Sequence, residues 1–120
     1  MIYTGYYAKH GKLPNACSIS VYVPKWFPNM MHVPCLAPTM KMVHDIHNGI
    51  ITEEEYIAQF ISLLDSRNLP WTNLVNELDG KILCCFEKPT EFCHRHIVAI
   101  YLEQYGGNVK EMVDKQPFLI

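Results

Sequence analysis

Cys93-His94-Arg95 is the densest group of reactive side chains in the sequence, and Glu87 lies a short way upstream. A thiol, an imidazole and a guanidinium in succession offer a nucleophile, a proton carrier that works near neutral pH, and a planar fork suited to phosphate or carboxylate. Glu87 adds a base or an acceptor for a ribose hydroxyl. Glu87, Cys93 and His94 are therefore the candidate catalytic residues and Arg95 the candidate anion clamp, with the order among the first three left open. The plain structural alternative pairs Arg95 with Glu91, buries Cys93 as a small core residue and leaves His94 at the surface.

These residues need a strand and a helix to hold them. Ile82-Leu83-Cys84-Cys85-Phe86 is an unbroken apolar run after the Asp79-Gly80 turn, which suits a strand covered on both faces, as in a parallel sheet. Glu87 to Glu91 is a polar connection in which Pro89 disfavours helix at Lys88, so the next helix is expected to start at about Thr90 to Phe92. Thr90 is the candidate cap, with Glu91 in the first turn, and the helix runs to Tyr105 and stops at Gly106-Gly107. Cys93, His94 and Arg95 then fall in or near its first turn, where unpaired N–H groups and partial positive charge lower a thiol pKa and attract anions.

Leu83-Cys84-Cys85-Phe86-Glu87-Lys88, then Glu91-Phe92-Cys93-His94-Arg95 and Ile97-Val98-Ala99, resembles the signature of the domain-of-unknown-function 488 family. That signature is an apolar strand ending in Glu-Lys, followed by a Cys-His-Arg triplet that opens a helix. Thr4-Gly5-Tyr6 is similar to the family's opening strand and glycine turn. The family carries an arginine-containing acidic segment at the end of its second strand, where this chain has Val21-Tyr22-Val23-Pro24. The resemblance implies a small α/β domain with a site near Glu87, Cys93, His94 and Arg95, and it supplies no reaction.

Size and composition fit that frame. A chain of 120 residues can bury a core as one α/β domain, and a hydrophobic share of 49% with 18% charged residues excludes a disordered chain. A formal charge of −2 argues against bulk binding to duplex nucleic acid, which needs a basic face. The start lacks the basic segment and apolar core of a signal peptide and no apolar run reaches membrane-spanning length, so a cytoplasmic protein is expected, with no membrane. Five cysteines, two of them adjacent in a strand and so facing opposite ways, lead to an expectation of five free thiols.

Along the chain, Met1 to Tyr7 and Ala16 to Val23 read as strands, and Ala8 to Asn15 as the loop between them. Pro24 to Pro38, with four prolines, excludes a continuous helix or a central strand and reads as an ordered loop packed by its own apolar side chains, Trp26 filling a gap at the core edge. Helices are expected over Thr39 to His47, over Thr52 to Ser66 behind a capping box, and from Pro70 to about Leu78. The tail from Asn108 to Ile120 reads as one more helical turn. Together these give a three-layer α/β domain with a mostly parallel sheet, Lys81 to Phe86 central and the Thr52 to Ser66 helix packed on it.

If the strands are parallel, their C-terminal ends share one edge, the usual ligand edge of such folds. Lys9, Lys12 and Lys25 would join Arg95 there as anion-binding residues, with His10 nearby. The expected function is binding of a nucleotide or other phosphate-bearing ligand at the Phe86 to Arg95 junction, with an enzyme using Glu87, Cys93 and His94 as its catalytic form. The alternative is a non-catalytic interaction or inhibitor module that meets a protein partner through Pro24 to Pro38. His32-x-x-Cys35, His44-x-x-His47 and Cys93-His94-x-His96 are short ligand-like spacings, but none forms a paired motif, so no metal and no cofactor are assigned.

Overall fold

A computed structural model of the chain describes residues 1–87 and 92–112. Five parallel strands, β1 (Ile2–Tyr6), β2 (Ala16–Ser18), β3 (Met31–His32), β4 (Ile82–Cys85) and β5 (Val109–Glu111), form one sheet in the order β3-β2-β4-β1-β5. The helices are α1 (Tyr7–His10), α2 (Met40–His47), α3 (Glu53–Arg67), α4 (Trp71–Glu77) and α5 (Arg95–Gln104), with a 3-10 turn at Pro34–Leu36. The expected small α/β architecture is therefore observed, with β4 central between β1 and β2.

The centre of the sheet follows from the apolar run. All four residues of β4 are buried, because layers cover both faces. Alternation along the strand sends Leu83 into the larger core with Phe60, Leu64, Val98 and Leu102, and sends Ile82 and Cys84 to the opposite face with Tyr7 and Ala16. Helices α3, α4 and α5 supply the first layer; α1 with Phe27 and Met30 supplies the thinner second one. Phe60 and Leu64 are wholly buried, each contributing about 1.5–3 kcal/mol by leaving water.

The capping box that starts α3 is present: Glu55 N donates to Thr52 Oγ1 at 3.1 Å and Thr52 N donates to Glu55 Oε1 at 2.9 Å. Asn68 ends the helix in the left-handed region at φ 52°. Thr39 caps α2 by accepting from Met42 N at 3.1 Å. These local signals act within one or two turns, which is why the sequence displays them openly.

Several expectations are corrected. The second strand ends at Ser18 rather than Val23, because the Ser18 hydroxyl donates back to the Tyr22 carbonyl at 3.1 Å and the chain turns there. The loop after β1 contains α1, whose His10 Nδ1 accepts from Tyr6 N at 3.2 Å. Gly5 lies inside β1 and not in a turn; a Cβ there would stand 2.6 Å from His10 Nδ1. Pro24 to Pro38 contains the edge strand β3 and the 3-10 turn, and Trp26 is 65% exposed instead of filling the core edge. Asn108 to Met112 holds the strand β5, not a helical turn, since its backbone pairs with β1. Thr90 and Glu91, the expected cap and first-turn acid, lie outside the described residues, as does the tail beyond Met112; α5 itself begins at Arg95, with His94 as its N-cap.

Candidate active site

With every strand parallel, β4 delivers Cys85 to the C-terminal edge of the sheet, and the chain returns to that edge at Phe92 just before α5. A cavity of about 500 Å³ opens there. Its lining includes Cys85, Glu87, Cys93 and His94, so all three candidate catalytic residues come together. The walls are mostly apolar, from Val21, Pro38, Val43, Ile46, Tyr56 and Phe92.

The Sγ atoms of Cys85 and Cys93 are bonded to each other. This corrects the expectation of five free thiols: Cys17, Cys35 and Cys84 are the free ones. Parity and an expected compartment argued against pairing, whereas the fold places a strand end and a helix approach face to face. Burial pushes the Cys17 and Cys84 thiols up to about 12, and burial also raises Cys35, so the three free cysteines are weak nucleophiles near neutral pH.

The two bonded sulfurs sit in different electrostatic settings. Arg95 Nη1 donates to Cys85 Sγ at 2.8 Å and to the Glu87 carbonyl at 2.6 Å. The guanidinium is wholly buried and is held by Glu111 on β5, whose Oε2 accepts from Nη2 at 2.8 Å and whose Oε1 accepts from Nε at 3.2 Å. The Thr4 hydroxyl on β1 also donates to Glu111 Oε1. Burial pushes the Glu111 carboxyl up, but the hydrogen bonds from Arg95 and Thr4 outweigh it and hold the group below the usual carboxylate range.

Cys93 faces His94, whose Nδ1 lies 3.6 Å from Cys93 Sγ. His94 Nε2 lies 2.7 Å from the Ile19 carbonyl. A carbonyl only accepts, so Nε2 carries the proton and Nδ1 presents its lone pair to the sulfur. Burial lowers the imidazole pKa to about 4, so the ring is neutral near pH 7. The ring also stacks edge-on against Phe60, which fixes its orientation from the core side.

The remaining expected site residues are elsewhere. Arg95 faces an anion, but that anion is the chain's own Glu111. Lys9, Lys12 and Lys25 are exposed and line no part of the cavity, and His10 is buried beneath β1. Among the described residues the cavity lining contains neither lysine nor arginine, while Glu53 and Glu87 both belong to it. Two participants escaped the sequence reading. Cys85 reads in the sequence as strand filling, although adjacent cysteines at the end of β4 must point to opposite faces, one of them toward α5. Glu111 had no local signal; its position follows only from β5 pairing with β1.

Comparison of the chain with family models, with curated proteins and with solved structures finds no match, so the reading of the site rests on its own geometry.

Proposed function

We propose that this protein carries out thiol–disulfide exchange through Cys85 and Cys93, taking a partner whose surface around the reacting sulfur is apolar and carries no net negative charge. The observation that carries the reading is the bonded sulfur pair in the wall of a mostly apolar cavity, with a guanidinium on one sulfur and a neutral imidazole on the other. An adjacent cation favours thiolate over thiol, so Cys85 is the attacking sulfur in the reduced protein. Its thiolate attacks one sulfur of a partner disulfide RSSR′; the partner S–S bond breaks, a Cys85–S–S–R bond forms, and R′S⁻ leaves and takes a proton from water. Cys93 then attacks Cys85 Sγ as its proton passes by way of His94 Nδ1 toward the departing sulfur. RS⁻ departs and receives that proton as RSH, so the imidazole is neutral again at the end of the step. Protein dithiol and RSSR′ thus become protein disulfide, RSH and R′SH, with two electrons passed to the partner, and the reverse sequence oxidises a dithiol.

The phosphate-bearing ligand expected from the sequence finds no described cation in this cavity to meet it, whereas two carboxylates line it. The same lining sets a test. The reduced protein is expected to react with an uncharged aromatic disulfide at least roughly tenfold faster than with an anionic aromatic disulfide of the same leaving group, because like charge at the mouth lowers encounter and binding. Stopped-flow release of the aromatic thiol measures both rates. Faster reaction of the anionic reagent would show that the cavity mouth favours negative charge and remove the support for this partner class.

A further inference from the structure

We propose that the reduced form of the same site binds one thiophilic divalent cation, of the zinc class, through Cys85 Sγ, Cys93 Sγ and His94 Nδ1, and that formation of the Cys85–Cys93 disulfide expels it. These three donor atoms lie within 4.8 Å of one another, and all three residues are buried. A tetrahedral zinc with ordinary Zn–S and Zn–N bonds holds its sulfur and nitrogen about 3.6 Å apart. Cys93 Sγ and His94 Nδ1 already stand at 3.6 Å. The third donor, Cys85 Sγ, lies within 4.8 Å of the other two, and reduction frees the sulfurs to separate toward about 3.8 Å, the S···S edge of the same tetrahedron.

The surroundings of the donors are those a metal requires. A ligating histidine usually donates its other ring N–H to a carbonyl or carboxylate, and His94 Nε2 does so to Ile19 at 2.7 Å. That contact fixes the tautomer with the Nδ1 lone pair toward the sulfurs. Cys85 Sγ accepts from Arg95, and the cationic charge beside it is balanced by the Glu111 carboxylate, so the pair supports a thiolate without adding net repulsion. Two thiolates and a neutral imidazole match a divalent ion in charge and softness. The fourth position opens into the cavity, as in zinc sites that bind an exchangeable ligand. Loading is ion exchange without electron transfer: the cation binds the two thiolates and displaces whatever protons the sulfurs still carry. Oxidation by a partner disulfide reverses it, since a bonded sulfur pair has no thiolate to offer.

The inference uses the same sulfurs as the exchange reading, and Co²⁺ separates the two. Protein reduced with a phosphine, freed of metal and kept under argon, is titrated with Co²⁺ alone. One equivalent is expected to bind, with an S-to-Co charge-transfer band in the near ultraviolet and tetrahedral d–d bands in the visible. The bands are expected to be lost in Cys93→Ser and in Cys85→Ser, retained in Cys35→Ser, and abolished in wild type by one equivalent of an aromatic disulfide. Wild-type protein that exchanges with disulfides yet shows no such bands would overturn the metal site and leave exchange standing. Cobalt bands that survive in both serine variants, or in the oxidised protein, would overturn it as well by locating the ion elsewhere. His94→Gln adds a check that needs only the bands: a shift toward fewer strong-field ligands is expected, and an unchanged spectrum in the folded variant would remove His94 from the set.

Discussion

Glu111→Ala is expected to destabilise the fold by about 3–5 kcal/mol, because it removes the counter-ion of a guanidinium that is wholly buried. The size of the effect comes from what is left behind. Arg95 cannot lose its proton, and with Glu111 gone two of its three nitrogens lose their carboxylate acceptors. Thr4 loses its acceptor too. Urea unfolding at pH 7 measures the loss, and a change under about 1 kcal/mol would show that Arg95 reaches solvent or another acid. The pH dependence has the same origin. The folded Glu111 carboxyl titrates below its unfolded value, so its contribution is fully present above the ordinary carboxylate range and is lost as pH falls through the lower folded pKa. Wild-type stability is expected to drop on acidification through that window, and Glu111→Ala to show a smaller drop from its lower starting point.

Cys93→Ser is expected to stop exchange halfway and to accumulate a mixed disulfide on Cys85, whereas Cys85→Ser is expected to abolish exchange altogether. The difference follows from the two settings. Arg95 remains beside Cys85 in the first variant, so the attacking thiolate survives, but the sulfur that would release the partner is gone. In the second variant Cys93 keeps only His94, and Cys17 and Cys84, at about 12, offer almost no thiolate at neutral pH. Intact-protein mass spectrometry after acid quenching reads one adduct of mass R in Cys93→Ser and none in Cys85→Ser. A stable adduct on Cys93 in Cys85→Ser would reverse the assignment of attacking and resolving sulfur.

How much of this was legible in the sequence depends on how local each cause is. The β4 run and the Thr52 capping box act over a few residues, and both are found where the pattern put them, with β4 ending one residue early at Cys85. Ser18 to Tyr22 reads as strand because branched residues favour one, while a single hydroxyl bond to the Tyr22 carbonyl turns the chain. The site divides in the same way. Glu87, Cys93 and His94 share one cavity, as their junction between strand and helix implied. The pairing of Cys85 with Cys93, eight residues apart, depends on how the chain returns from β4 to the sheet edge, whereas the Ile19 carbonyl that orients His94 and the Glu111 carboxylate that occupies Arg95 come from just past β2 and from β5. For those two partners no spacing rule reaches far enough; only the strand order β2-β4-β1-β5 brings them to the site.

The most direct measurement of the central claim is a redox titration of the five thiols. Protein is equilibrated in buffers of reduced and oxidised dithiothreitol spanning many ratios, quenched in acid, alkylated under denaturing conditions and mapped by peptide mass. Cys85 and Cys93 are expected to lose reactivity together, in one two-electron transition, while Cys17, Cys35 and Cys84 stay fully alkylated at every ratio. Independent behaviour of Cys85 and Cys93, or a bond that forms instead with Cys84 or Cys35, would contradict the pair and the exchange chemistry built on it.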